Sequence, residues 1–472
     1  MRKHGVKISV CLHLCLALPG FLPTLAQAAE QPLTLSEFVQ LAAKNDPAFE
    51  AILIDRLALQ YRRDILLPDR DLILEVKHQY QYYIDQDRSS PQTSLSLGKL
   101  FPFSGADVSL SYSKAWSSAS ATDESTLQFL ISQPIARNAF GKGLKMQDKI
   151  IGIENDVLRY QIIEAYEDYL ASLTAAYYNW YSAYENLKVG QAALNSNMKL
   201  LDNILERQRQ KIALPIDVNK MELSLTAKRE NLVVLQEIYD SLSNLVLKSV
   251  GHPGEAQYIP VEPPTPAQAV QFDQDYRQFT EDSRTYRMLR LLEQQGTLEV
   301  AKAADDLLPS TNLLLGYQVD GEDWGIRNPD RSYFAGISLR WPIGRTVDKA
   351  KYEIAKIEQK KTLLSNRNKY EELQTNLRNL YQQIVREQQL VAISEKKIRL
   401  AEAVLRDETE NYSFGKVTLN DYIFAVNSVD ENRFKYTEHT VARNKLMVEW
   451  LRLTDRLVDE QVLASGDGEK KK

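Results

Sequence analysis

The feature that most constrains this chain is a very long helical pattern that occurs twice. From Ile163 the apolar residues step by three and four positions, and from Ile384 to Tyr412 they recur every seventh position. Each pattern continues for about 65–70 residues, which predicts a helix of roughly 100 Å. A sustained seven-residue repeat indicates supercoiled packing against other helices. One chain cannot bury rods of this length, so we expect a bundle or tube made from several copies.

The elements around each rod follow the same order in two halves of the chain. Residues 126–250 predict a strand, a Gln-Pro-Ile junction, a long helix, a turn and a return helix. Residues 333–454 repeat this order with a Trp-Pro-Ile junction, and 204 positions separate Asp217 from Asp421 at the two turns. Solenoid repeats have periods of roughly 20–50 residues. The pattern therefore predicts duplication of a whole half.

Six stretches alternate apolar and polar residues with period two, which is typical of strands with one apolar face. They are residues 72–83, 93–100, 106–113, 126–133, 311–319 and 333–341. Strands of a soluble antiparallel sheet are one interpretation. The wall of a membrane β-barrel is favoured, because the apolar rows end in aromatic residues such as Tyr80, Tyr112 and Trp341, as they do at membrane interfaces.

The N-terminus predicts export. A basic start at Arg2 and Lys3 precedes an apolar stretch and an Ala26-Gln27-Ala28 cleavage site, so the mature chain is expected to begin at Ala29. The only two cysteines lie in this leader, which predicts a mature chain without disulfides. The net charge of −5 gives no electrostatic case for nucleic acid. The five histidines lack metal-ligand spacing and no nucleotide-binding motif is present, so we predict neither an enzyme, a metal nor a cofactor.

Several motifs carry a resemblance to the TolC-like outer-membrane factor family. They are the opening Leu33-Thr-Leu-Ser-Glu-Phe-Val-Gln-Leu-Ala-Ala-Lys-Asn-Asp-Pro47, the junctions Gln133-Pro-Ile135 and Trp341-Pro-Ile343, and the turn Tyr412-Ser-x-Gly415-x-x-Thr418-x-x-Asp421. The resemblance covers nearly all of residues 33–454. It implies an α+β membrane protein with an internal two-fold repeat. Three protomers would form one outer-membrane β-barrel, continued by a long periplasmic α-helical coiled-coil tunnel.

The resemblance also implies a division of the chain. The family contributes about four strands per protomer, and this chain has six if the hairpin over 93–113 joins the wall. Within each repeat we expect a leading helix (36–65 and 283–304) and a return helix (218–249 and 422–453). We expect a signal peptide over 1–28, a Pro-rich linker over 251–282 and a polar tail over 455–472. The first repeat spans 29–250, with strands in 72–133 and a tip turn at 211–217. The second repeat spans 283–454, with strands in 311–341 and a tip turn at 413–421.

The implied function is an exit duct in the outer membrane of a Gram-negative bacterium, with its helices in the periplasm. As a homotrimer in contact with outer-membrane lipid, it would join a periplasmic adaptor and an inner-membrane pump, either proton-driven or of the ABC type. Small-molecule efflux and type I protein secretion both remain open. The alternative from another class is a trimeric coiled-coil spacer or adhesin stalk that does not conduct.

The implied functional site lies at the two turns. Asp421 and Tyr412 match the family's periplasmic gate, and Lys416 stands beside Val417, which occupies the position of a gate arginine. Three copies of Asp421 around an axis would repel one another, raise their pKa and attract cations. The simpler role of Asp217 and Asp421 is to cap the helix that follows. The residues expected to contact the adaptor are Gly415, Val417, Thr418, Ala213, Leu214, Pro215 and Asp217.

Overall fold

The computed structural model describes residues 31–66, 71–86, 88–116, 124–251, 258–265 and 270–458. The predicted signal peptide and residues 459–472 of the predicted tail lie outside these ranges. In chain order the elements are β1 (Gln31–Leu33), α1 (Leu35–Asn45), α2 (Pro47–Leu66), β2 (Ile73–Tyr83), β3 (Arg88–Phe101), β4 (Ala106–Ala115), β5 (Glu124–Pro134), α3 (Lys142–Arg209), α4 (Pro215–Val250), β6 (Tyr258–Pro260), α5 (Phe272–Asp282), α6 (Arg284–Asp306), β7 (Ser310–Glu322), β8 (Arg327–Arg340), α7 (Thr346–Ser413) and α8 (Leu419–Leu453).

The long helices α3 and α7 each span 68 residues, so each is about 100 Å long. Each packs against the return helix that follows it, and α3 also packs against α6 and α8. Leu373, Leu377, Leu380 and Ile384 of α7 are buried against Met447 and Trp450 of α8. Their spacing of four, three and four residues puts them on one face of the helix, as the sequence pattern predicts.

The leading segment forms two helices rather than the single helix predicted over 36–65. The break falls at Asp46, whose backbone is extended at φ −82° and ψ 117°. Pro47 is the cause, because a proline disfavours the helical conformation of the residue before it. Thr34 and Glu37 form a reciprocal capping box at the start of α1, since the Glu37 N–H donates to Thr34 and the Thr34 N–H donates to Glu37.

Six strands form one antiparallel sheet in the order β2-β3-β4-β5-β7-β8. All six predicted stretches are strands, but β3 and β8 begin earlier than predicted. Pairing of β3 with β2 reaches back to Arg88, and pairing of β8 with β7 reaches back to Arg327, through mostly polar segments outside the predicted stretches. One face of the sheet is apolar and exposed in the single chain, with Tyr333 85% and Ile337 71% exposed. The opposite face is rich in Ser and Gln.

The segment expected to be a linker over 251–282 contains two regular elements. In it, β6 pairs in parallel with β1, and α5 packs against α6 and α7. Tyr177 of α3 holds this region together, because its hydroxyl donates to the Leu33 carbonyl at 2.6 Å and accepts from the Val261 N–H at 3.0 Å. The described parts of this segment are therefore packed against other elements of the chain.

A buried ion cluster joins the two halves to the end of the described chain. The Arg284 guanidinium pairs with Glu167 of α3 and lies 3.1 Å from Asp455. The Val458 N–H donates to the Glu167 carboxylate at 3.0 Å. Burial raises the pKa of Glu167 to about 7, although Arg284 acts to lower it. Asp455 and Val458, the first and fourth residues of the segment expected to be a polar tail, therefore pack against the helices.

Within the part of the chain that the structure describes, no helix combines the length and apolar character that a membrane span requires.

Candidate functional site

The two predicted tip turns lie side by side at one end of the helices. The first turn connects α3 to α4 and the second connects α7 to α8. Between them lies a small apolar cluster in which Ile204 and Met221 of the first half are fully buried and Leu419 of the second half is 4% exposed. The half-buried residues Tyr412 and Tyr422 pack against it. The structure therefore brings together the site residues predicted from both halves.

Asp421 caps the helix that begins at Leu419. Its carboxylate accepts hydrogen bonds from the Thr418 hydroxyl at 2.6 Å and the Thr418 N–H at 3.1 Å. The Asp421 N–H donates back to the Thr418 hydroxyl at 3.3 Å, which completes a capping box. These hydrogen bonds lower the pKa of Asp421, first through the Thr418 side chain and then through its backbone. Within one chain the pKa therefore moves in the opposite direction to the one expected for a carboxylate ring.

Tyr412 connects the two halves through an arginine that no sequence motif predicted. Its ring stacks on Tyr422 with centroids 5.3 Å apart and planes at 3°. The guanidinium carbon of Arg207, near the end of α3, lies 4.8 Å from the centroid of the same ring. An Arg207 N–H also donates to the Tyr412 carbonyl at 3.4 Å. Burial raises the pKa of the Tyr412 hydroxyl, while Arg207 acts to lower it.

The second turn depends on Gly415 for its backbone shape. Gly415 has φ +70°, a left-handed conformation that glycine adopts without strain, although a Cβ there would meet no atom within 4 Å. The Lys416 ammonium lies 5.3 Å from the centroid of the Phe414 ring. Within one chain the Lys416 ammonium therefore contacts an aromatic ring. To replace the missing gate arginine, Lys416 would have to contact another protomer. Val417 is half-buried and Thr418 is exposed.

The first turn has a simpler cap and a strained residue. Pro215 occupies the first position of α4, where its missing N–H costs nothing. The Asp217 carboxylate accepts from the Leu214 N–H at 3.1 Å, and Ala213 is half-buried. Lys211 adopts φ +61°, so a lysine takes the left-handed conformation that glycine takes in the second turn.

The end of the tip exposes large apolar side chains to solvent. They are Ile212, Leu214 and Ile216 of the first turn, Phe414 of the second turn, and Phe424 in the first part of α8, each more than half exposed. Isolated exposed apolar residues are ordinary, but a group at one end of a long helical structure is typical of a contact surface. Among these five residues, the sequence motifs identified only Leu214 as a contact. The spacing of Ile212, Leu214 and Ile216 between two helices was the available signal for Ile212 and Ile216.

Comparison with solved structures identifies the fold. The outer-membrane protein VceC of Vibrio cholerae superposes with a TM-score of 0.68 at 14% identity, covering 89% of this chain and 95% of VceC. The open-state MtrE outer-membrane channel of Neisseria gonorrhoeae superposes with a TM-score of 0.61 at 13% identity, covering 90% and 89%. The CmeC outer-membrane channel of Campylobacter jejuni gives 0.60 at 13% identity, covering 92% and 89%.

Sequence comparison adds no assignment, since no protein-family model and no curated protein matches the chain. The structural likeness extends over about nine tenths of the chain and of each compared protein. The chain therefore has the fold of these outer-membrane channels, and the resemblance stated from its motifs is confirmed at the level of the fold.

Proposed function

We propose that this chain is the outer-membrane exit duct of a tripartite efflux or type I secretion system. It is a passive channel, opened at its periplasmic tip by an adaptor and an inner-membrane pump. The observation that carries the proposal is the fold, which is shared with VceC, MtrE and CmeC over at least 89% of this chain. In the proposed assembly three copies pool their strands into a barrel in the outer membrane, and their helices form a tunnel through the periplasm.

The proposed gate is the pair of turns. In each copy, Arg207 of the first half holds Tyr412 of the second half, and the shared apolar cluster keeps the two turns together. Opening requires these turns to separate or shift. Within each copy the Thr418 hydrogen bonds lower the pKa of Asp421, which opposes the rise expected from three like charges around an axis. Three ionised carboxylates in such a ring favour cations over anions. Lys416 is available to pair with an acidic group of a neighbouring copy.

The proposed adaptor contact is the exposed end of the tip. The apolar residues Leu214 and Phe414 are 63% and 66% exposed, with Lys416 and Thr418 beside them. An apolar centre with a polar edge is the usual composition of a protein interface. The expected contact residues Gly415, Val417, Thr418, Ala213, Leu214, Pro215 and Asp217 all lie within or next to this surface.

Planar-bilayer recording of the purified protein tests the proposal. We expect a conducting trimer that selects cations, and a smaller reversal potential in a salt gradient for Asp421→Ala. Asp217→Ala is the matched control, because Asp217 also accepts a backbone N–H at the start of a helix but lies in the first turn. The absence of conductance in every variant would leave the non-conducting spacer as the better account. Equal reversal potentials in the wild type and Asp421→Ala would remove Asp421 from the gate and leave the duct.

A further inference from the structure

The sheet contains two more strands than the four that the resemblance implies, and its central rows continue through these strands. β3 and β4 lie between β2 and β5, and the residue pairing passes through them without a shift. One row across all six strands is entirely apolar: Leu74, Leu97, Leu110, Phe129, Tyr317 and Tyr333. The adjacent row on the other face is entirely polar: Glu75, Ser96, Ser111, Gln128, Gln318 and Ser332.

These rows show that the extra hairpin has the same two-sided character as its neighbours. A hairpin lying outside a membrane wall has no reason to continue an apolar row on one face and a polar row on the other. Successive residues of a strand in a barrel wall, in contrast, must face lipid and the aqueous lumen in turn. The alternation in β3 and β4 is therefore the pattern expected of wall strands.

The turn of the extra hairpin is fixed to the junction between sheet and helices. Gly105 in that turn and Gly141 just before α3 both have positive φ, and a Cβ on Gly141 would lie 2.7 Å from the Pro102 carbonyl. The Gln133 side chain at the end of β5 donates to the Ser104 carbonyl at 2.8 Å. The hairpin thus ends at the same level as β5 and contributes to the point where the long helix begins.

The edges of the sheet fit pairing between copies. β2 and β8 are the two edge strands, with 11 and 14 residues. Because the sheet is antiparallel and has an even number of strands, its two edges run in opposite directions. A β8 edge placed against the β2 edge of a second copy therefore continues the antiparallel order, as a closed barrel requires.

The circumference of such a wall matches that of the helices below it. At about 4.8 Å between strands and about 40° of tilt, eighteen strands span roughly 113 Å, and twelve strands span roughly 75 Å. Each copy contributes four tunnel helices (α3, α4, α7 and α8), so three copies give twelve. At about 8–10 Å between axes these twelve helices span roughly 100–120 Å. The wider wall therefore continues the helical tube without a step.

We propose that the duct has an eighteen-stranded wall, six strands from each of three copies, with β3 and β4 widening the exit. The proposal rests on the proposed function, since it takes three copies and a membrane wall from there. The backbone diameter of the eighteen-stranded wall is about 36 Å, and side chains of about 5 Å on each side leave an opening about 26 Å wide. A helix with its side chains is about 10–12 Å across, so two helices pass side by side. The substrate class at this exit thus includes polypeptides.

Distances between identical spin labels in the three copies test the width. A spin label at Gln318→Cys on β7 reports the width of the wall and leaves the hairpin of β3 and β4 unchanged. Three-fold related backbone positions should lie about 31 Å apart on an eighteen-stranded wall and about 21 Å apart on a twelve-stranded one. Double electron–electron resonance resolves this difference of about 1.5-fold. The control is Glu237→Cys on the exposed face of α4, whose distances depend on the helical tube and are the same for either wall.

The two labels separate failure of the inference from failure of the proposed function. A distance near 21 Å at Gln318 with trimer distances at Glu237 would overturn the wide wall and leave the duct. The absence of distances between copies at both sites would overturn the trimeric duct and the wall with it.

A bimane label on β3 then tests whether the hairpin faces lipid. Quenchers attached to lipid chains should quench Leu97→Cys several-fold more than Ser96→Cys, and water-soluble quenchers should do the reverse. Equal quenching at the two positions would place the hairpin outside the wall and overturn the inference.

Discussion

Replacing Arg207 by alanine tests whether contacts between the two halves hold the tip closed. The Arg207 guanidinium lies over the Tyr412 ring at 4.8 Å and donates to the Tyr412 carbonyl. A half-buried cation–π contact of this kind contributes about 1 kcal/mol. If each of three copies has one such contact and all three must break on opening, the closed state loses about 3 kcal/mol. Since about 1.4 kcal/mol is a factor of ten, the ratio of open to closed channels should rise roughly 150-fold.

The assay is single-channel recording of open probability at fixed voltage and salt. Arg209→Ala is the matched control, because Arg209 lies on the same turn of α3 but is exposed, and its partner among the described residues is Glu206 at 3.4 Å. An exposed pair of this kind contributes little, so the control should leave the open probability within about two-fold of the wild type. The open probability of Arg207→Lys should lie between those of Arg207→Ala and Arg209→Ala, because lysine keeps the charge without the planar stacking surface.

Two results would refute this reasoning. One is an open probability for Arg207→Ala that equals that of the wild type while the protein remains trimeric. The other is an equal rise in Arg209→Ala, which would mean that net charge at the tip, rather than contact with Tyr412, controls the gate.

Five further variants test particular contacts. Thr418→Ala removes the capping hydroxyl of α8 and should lower the free energy of unfolding by about 1 kcal/mol in denaturant titrations. Leu377→Ala, in the fully buried core, should cost about 3 kcal/mol in the same measurement. Gly141→Ala should destabilise the junction, while Gly98→Ala, where a Cβ meets no atom within 4 Å, should lose far less thermal stability. Burial raises the folded-state pKa of Glu167 from 4.5 to about 7. Its contribution to the free energy of unfolding, about 3 kcal/mol, is therefore fully present below pH 4.5 and is lost as pH rises through 7. Glu167→Gln should flatten that part of the stability curve, and a curve of unchanged slope would show that another group titrates there.

The elements dominated by local pattern could be predicted from the sequence. The heptads of α7 bury Leu373, Leu377 and Leu380 as their spacing requires, and strict alternation located all six strands of the sheet. The ends of β3 and β8 were missed because their first residues are polar and carry little alternation. Pairing with a neighbouring strand, rather than side-chain pattern, extends them.

The site was predicted only where one turn provides all of its contacts. Thr418 and Asp421 are three residues apart, so their capping box is visible in the sequence. Arg207 and Tyr412 are 205 residues apart, and only the packing of one half on the other brings them together. The same applies to Arg284 and Glu167, which gave no local signal. The roles of the turn residues in gating and adaptor contact remain predictions.

The buried cluster around Arg284 has a consequence for the order in which the chain folds. Its acceptor Glu167 lies in the first half, and the Val458 N–H that completes the carboxylate's hydrogen bonds is 291 positions further along the chain. Until Asp455 and Val458 have been synthesised, Arg284 and Glu167 therefore lack part of their buried surroundings. Docking of residues 455–458 is then the step that completes the cluster, so this region can reach its final packing only after both halves have been made.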